Sequence, residues 1–234
     1  MKYWTRDEIV AKLKGDLKLD EYSGVVEDST LYEYINDAID DIEAQIHTLY
    51  EDYFLTRALL TLVQGQDEIA LPTDIFAMKI RGIVYFKDNK LYEVPRIKEF
   101  KKFLKYREAR LTSSNYQDYR YFLYNAVAGS PKILLSPPAL ESSATVMEIW
   151  YLRNANRLAT GTDKCDVPEG IQYIFWHVKE LIYGDEGHYL HKVAVDKALM
   201  HMQDLQATLA AMVPDTDNEL EPDLSSYYEQ DGIC

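Results

Sequence analysis

Leu31, Ile35, Ala38, Ile39, Ile42, Ile46 and Leu49 recur at steps of three and four residues, the spacing of one helix face. They predict an amphipathic helix of roughly five turns, capped by Ser29 or Thr30, with Asp37, Asp40, Asp41 and Glu43 mostly off the apolar stripe. A shorter helix precedes it over about 6–17. There Ile9, Val10 and Leu13 share a face, and Thr5 with Glu8 has the form of a capping box. The period changes after Thr56. Leu59 to Val63 reads as a strand, Gly65-Gln66 as a turn, and Glu68 to Leu71 as the hairpin partner, ended by Pro72. Ile80 to Phe86 and Leu91 to Val94 form a second pair around Lys87-Asp88-Asn89-Lys90. Pro95 then opens a short basic helix with Ile97, Phe100, Phe103 and Leu104 on one side. Three further strands are expected at Tyr119–Tyr124, Lys132–Leu135 and Thr145–Tyr151.

Helical spacing returns after a polar linker at 157–167. Pro168 suits a first helical turn, and Ile171, Ile174, Phe175, Val178, Leu181 and Ile182 make an apolar face. Gly184 and Gly187 interrupt it. A last helix is predicted from about His188 to Met212, its apolar positions Leu190, Val193, Ala194, Leu199, Met202, Leu205 and Leu209. A short connection between long helices favours an antiparallel pair. The pattern therefore predicts an α+β fold. N- and C-terminal helices (1–56 and 157–213) pack as a helical bundle, with a mostly antiparallel sheet or sandwich (57–156) inserted between them in sequence. The stretch 214–234 is an extended acidic tail.

Composition changes this picture in two ways. Nineteen tyrosines are many for 234 residues, and tyrosine, apolar in its ring and polar at its tip, is favoured at interfaces. The net charge of −14 argues against a dedicated nucleic-acid binder. That charge is segregated. Eleven acidic residues and no lysine or arginine lie between Asp20 and Thr56, whereas eleven basic residues face four acidic ones between Lys79 and Arg110. The tail carries Asp215, Asp217, Glu219, Glu221, Asp223, Glu229 and Asp231 without a lysine or arginine. Such segregation suits complementary contacts between copies of one chain. Lys98, Lys101, Lys102, Lys105, Arg107 and Arg110 are the candidate subunit interface, facing acidic residues of another copy.

Little in the chain reads as catalytic. His188 and His191, after Asp185 and Glu186, share a helix face, but no established zinc motif accompanies them. His177 beside Trp176 reads as a packed histidine. Cys165 has no nearby histidine in sequence that would suggest a nucleophile. The glycines Gly161, Gly170, Gly184 and Gly187 are isolated, so no phosphate loop is expected. Carboxylates are too abundant for any pair to mark glycoside cleavage. No cofactor or metal is expected. Two distant cysteines imply no disulfide framework and fit a reducing compartment. Met1-Lys2-Tyr3-Trp4 runs into a charged helix unlike a signal peptide, and no apolar run approaches the roughly 20 residues of a membrane span.

The order of five short pieces carries more information. These are Leu31-Tyr32-Glu33-Tyr34-Ile35-Asn36-Asp37-Ala38, then Gly65-Gln66 leading to Leu71-Pro72-Thr73-Asp74. After them come Ile133 to Pro138, Met147 to Tyr151, and Val167-Pro168-Glu169. Together they resemble the head–tail adaptor proteins of tailed bacteriophages, podovirus-like members especially, over roughly residues 5–212. The stretch Phe100 to Tyr124 and the acidic tail depart from the pattern. The resemblance implies a structural virion protein without a cofactor. It would form a ring, commonly of twelve copies, that joins the portal protein to the tail nozzle or tube and lines part of the DNA channel. Extended terminal segments of such proteins grip the portal; here Leu220, Leu224, Tyr227, Tyr228 and Ile233 would be the anchors. Packaged DNA would pass without sequence-specific binding. Either Asp37, Asp40 and Asp41 on an acidic channel helix or the basic middle would face it. The implied location is the virion neck, after assembly in the host cytoplasm, with no membrane partner. The alternative is a virion-associated hydrolase, acting on the cell wall or depending on a metal.

Overall fold

The computed structural model describes residues 2–17, 26–125 and 131–212. It is an α+β fold with five α-helices and antiparallel sheets among those residues. Helix α1 (Arg6–Leu17) buries Ile9, Val10 and Leu13, and α2 (Asp28–Leu49) buries Leu31, Ile35, Ala38, Ile39, Ile42 and Ile46. The capping box forms as expected. Thr5 N–H donates to Glu8 Oε2 (2.9 Å), and Glu8 N–H donates to Thr5 Oγ1 (3.3 Å). The cap expected on α2 does not form: the helix starts at Asp28 behind Glu27, and Ser29 Oγ donates to the Glu27 carboxylate instead. Helices α4 (Ile171–Asp185) and α5 (His191–Met212) join α1 and α2 in one apolar core, with Ile174, Val178, Ile182, Ala198, Leu205 and Leu209 inside.

A second core lies between two sheets. The first has the order β1 (Leu55–Leu62), β7 (Ser143–Arg153), β3 (Ile75–Lys87), β4 (Lys90–Glu93). The second has the order β2 (Glu68–Ala70), β6 (Pro131–Ser136), β5 (Arg120–Asn125). Leu60, Ile69, Ile83, Tyr85, Tyr119, Ile133, Leu135, Met147 and Ile149 are buried here. Helix α3 (Phe100–Arg110) contributes one fully buried side chain, Phe103, which packs on Phe122 of β5.

Three expectations are corrected. The strands flanking Gly65-Gln66 are not hairpin partners: β1 pairs with β7 and β2 with β6. The Gly65 turn, at φ +81, instead hands the chain from one sheet to the other. Helix α3 does not open at Pro95, because Pro95 to Ile97 pair along Tyr121 of β5 and the helix starts at Phe100. The stretch 157–167 is no free linker. It buries Leu158, Cys165 and Val167 and bonds to residues 4–7 through Arg6 N–H to Asp163 O (2.9 Å) and Cys165 N–H to Trp4 O (2.9 Å). The β3–β4 turn is as expected: Asp88 and Asn89 take φ +50 and +59, as a two-residue hairpin turn requires.

Strand β3 begins five residues before its expected start, at Ile75, and hides a bulge. Its register against β7 shifts between Ile75 and Ile80, where Ala77 and Met78 hold φ +43 and +57. Two non-glycine residues in the left-handed region cost roughly 1–2 kcal/mol each. The bulge sits where sheet meets helices. Phe76 stacks on His47 of α2 at 3.5 Å between ring centroids. Lys79 and Arg81 reach Glu51 (2.5 and 2.6 Å) and Asp52 (Arg81, 2.7 Å) in the short turn after α2.

Candidate functional site

The polar face of α2 is spent largely inside the chain. Asn36, Asp40 and Glu43, spaced four and three apart, share one side of the helix. Asn36 Oδ1 accepts from Leu158 N–H (2.9 Å), and its amide donates to Tyr32 O (2.9 Å). Asp40 pairs with Arg157, and Glu43 Oε1 accepts from Ala155 N–H (2.9 Å). These three residues pin the segment returning from β7. Asp41 Oδ2 accepts from the Tyr173 hydroxyl (2.8 Å) and lies 3.8 Å from His177 Nε2. Of the three aspartates considered for a channel wall, Asp37 alone is exposed without an ion-pair partner among the described residues; Glu33, one turn earlier, is its like.

The Gly-Gln and Leu-Pro-x-Asp pieces stitch the sheets together. Gly65 N–H donates to Ala139 O, and Ala139 N–H to Gln66 O (both 2.8 Å). Leu135 N–H donates to Asp67 O (2.7 Å), while the Asp67 carboxylate holds Arg107 of α3. Asp74 Oδ1 accepts from the Tyr151 hydroxyl (2.9 Å), and Asp74 O accepts from Asn154 N–H (2.7 Å). In the last piece Pro168 is buried and Glu169 accepts from the Tyr53 hydroxyl (2.8 Å).

The candidate interface residues fall into two groups. Arg107 is held by Asp67, Arg110 lies 3.6 Å from Asp118, and Lys102 pairs with Glu99 at 2.6 Å. Lys98, Lys101 and Lys105 are exposed and have no carboxylate partner among the described residues. Beside them Leu104 and Leu111 are 45% and 55% exposed. The tail positions Leu220, Leu224, Tyr227, Tyr228 and Ile233 lie outside the described residues.

The strand expectations left one surface unnoticed. Directly paired residues share a sheet face, so Leu59, Trp150, Val84, Phe86 and Leu91 all point away from the core of the four-stranded sheet. Leu59 is 55% and Leu91 69% exposed. The signal was partly present in the sequence: Leu59 and Trp150 stand at positions that alternate with the buried Leu60 and Ile149, although Arg57 and Glu148 share their face; a strand covered on one face alternates with polar residues.

Groups considered for chemistry are engaged otherwise. Burial pushes the Cys165 thiol up to about 11, and its Sγ donates to Val167 O (3.6 Å). His188 Nδ1 accepts from Leu190 N–H (3.2 Å), and its ring stacks on Tyr183. Among the described residues no three His, Cys, Asp or Glu side chains gather to hold a metal ion, and no helix is long and apolar enough to cross a membrane.

No curated protein matches the chain. The family model described as SU10 adaptor protein matches residues 4–225, nearly the whole of it. The chain belongs to this family of phage head–tail adaptors, structural proteins of the virion rather than enzymes.

Proposed function

We propose that this adaptor is the subunit of a closed homo-oligomeric ring, of twelve copies, that joins the portal to the tail nozzle or tube and forms part of the DNA channel. The observation that carries the reading is the outer sheet face of Leu59, Val84, Phe86, Leu91 and Trp150. Large apolar side chains left open on one copy, here around the Arg57–Glu148 ion pair at 3.5 Å, are the kind of surface that proteins cover by association, and a ring offers a neighbour to cover them. The exposed carboxylates of Glu33 and Asp37 on α2 suit a wall that repels phosphate and lets duplex slide without sequence-specific binding. The divisions 1–56, 57–156, 157–213 and 214–234 are part of the same reading. Two cores form the body, and the tail grips the portal through Leu220, Leu224, Tyr227, Tyr228 and Ile233. Assembly takes place in the host cytoplasm, and the finished ring sits in the virion neck.

Mixing the purified chain with the portal protein tests this by native mass measurement. A defined multimer bound to the portal is expected, and removing residues 214–234 is expected to weaken attachment while the melting temperature of the body stays unchanged. A chain that stays monomeric beside the portal contradicts the reading.

A further inference from the structure

Subtracting the internal ion pairs leaves a compact remainder of positive charge. In the basic middle of the chain Lys79, Arg81, Lys87, Lys102, Arg107 and Arg110 each meet a carboxylate of their own chain. Lys90, Arg96, Lys98, Lys101 and Lys105 have no such partner among the described residues; of these, Lys98, Lys101 and Lys105 lie just before α3 and along its outer side. Glu108 shares that side, so the face keeps a net positive charge. Lys101 and Lys105 stand about 6 Å apart along the helix axis. Leu104, between them in sequence, is also left open.

The acidic tail has a matching pattern. Asp215, Asp217, Glu219, Glu221 and Asp223 fall on every second residue. Laid out as an extended strip, they occupy one edge at about 7 Å intervals. Leu220 and Leu224 occupy the opposite edge. We propose that the carboxylate edge of residues 215–223 docks on Lys98, Lys101 and Lys105 of a neighbouring copy of this chain, leaving the apolar edge free for the portal. This rests on the ring reading above and names the contact that ties one subunit to the next. Eleven residues beyond Met212 reach roughly 35 Å when extended, enough to cross a subunit boundary. A strip given by each copy to the next makes every copy donor and receiver, which is the head-to-tail contact that closes a ring. Attraction between opposite charges also sets its direction.

The test uses the full chain assembled on the portal protein, in a Cys234→Ser background so that Cys234 cannot compete with the engineered pair. With Lys105→Cys and Glu219→Cys together, mild oxidation is expected to yield a ladder of covalently linked chains on a denaturing gel. Separately, Lys101→Glu with Lys105→Glu is expected to weaken ring assembly about tenfold, and Asp217→Lys with Glu219→Lys in the same chain to restore it. Raising NaCl to about 0.5 M is expected to weaken the unaltered ring and the ring restored by the tail substitutions, but not to weaken further the chain with Lys101→Glu and Lys105→Glu alone. Links confined to single chains, links to the portal alone, or rings of the Lys101→Glu, Lys105→Glu chain that form like the unaltered ones overturn this inference while leaving the ring standing. If the unaltered chain forms no ring on the portal, the ring reading itself fails.

Discussion

Asn36 shows how a residue inside a family motif can be structural. Its side chain meets the Leu158 N–H and the Tyr32 carbonyl at once. Asn36→Ala leaves the Leu158 N–H without its partner, and a polar group stranded in this way costs about 1–2 kcal/mol. Urea denaturation is expected to show that loss with an unchanged slope. Glu51 works at the junction of helices and sheet. Hydrogen bonds from Lys79 and then Arg81 hold its carboxyl down from the usual 4.5 to about 2. A depressed carboxylate stabilises the fold above its unfolded value, and that contribution disappears as pH falls through the folded value. The Glu51 contribution is therefore complete above about pH 4.5 and lost towards about pH 2. Because the group is more than a third exposed, water screens the pair and the effect is modest. Stability measured against pH is expected to fall less steeply over this window in Glu51→Gln.

At the scale of elements, the close approach of α2 to the start of α4 is set by a glycine. A Cβ on Gly170 would meet Ile42 Cδ1 at 2.5 Å, inside a core where Ile42 is fully buried. Gly170→Ala is expected to cost about 1–3 kcal/mol by overpacking. Ile42→Val removes that methyl, so the double variant is expected to be more stable than the sum of the two single losses allows, read as a double-mutant cycle by denaturation. The elements themselves were unevenly legible. Helix α2 could be read because seven apolar residues repeat with the helical period, and that information is local. The pairing of β2 with β6 was not legible, since Gly65 signals a turn but cannot say which strand receives the chain afterwards. The β3 bulge was hidden because Ala77 and Met78 carry none of the usual left-handed signals of glycine or asparagine. In the sequence Asp40 and Glu43 stand mostly off the apolar stripe and Asn36 is one letter of a motif, with no sign of what they hold. Only the fold reveals that the 155–158 segment lies across them.

For the whole molecule, charge divides between inward and outward use. Glu51, Asp52, Asp67 and Glu141 neutralise basic residues of the same chain, which secures α3 and the bulge to the body. What remains outside includes the lysines at α3, the carboxylates Glu33 and Asp37, and the outer sheet face with Leu59, Phe86, Leu91 and Trp150, the surfaces we propose for association. The family was legible from five motifs in order, because their residues hold the two cores in register. The surfaces were less so, because whether a lysine is spent internally depends on contacts distant in sequence. The most direct test is an electron cryomicroscopy image of the virion neck with this chain located in it. A closed ring between portal and tail, with α2 towards the duplex and each tail crossing its neighbour, is expected. A copy found away from the neck, or a neck in which this chain forms no ring, would contradict it.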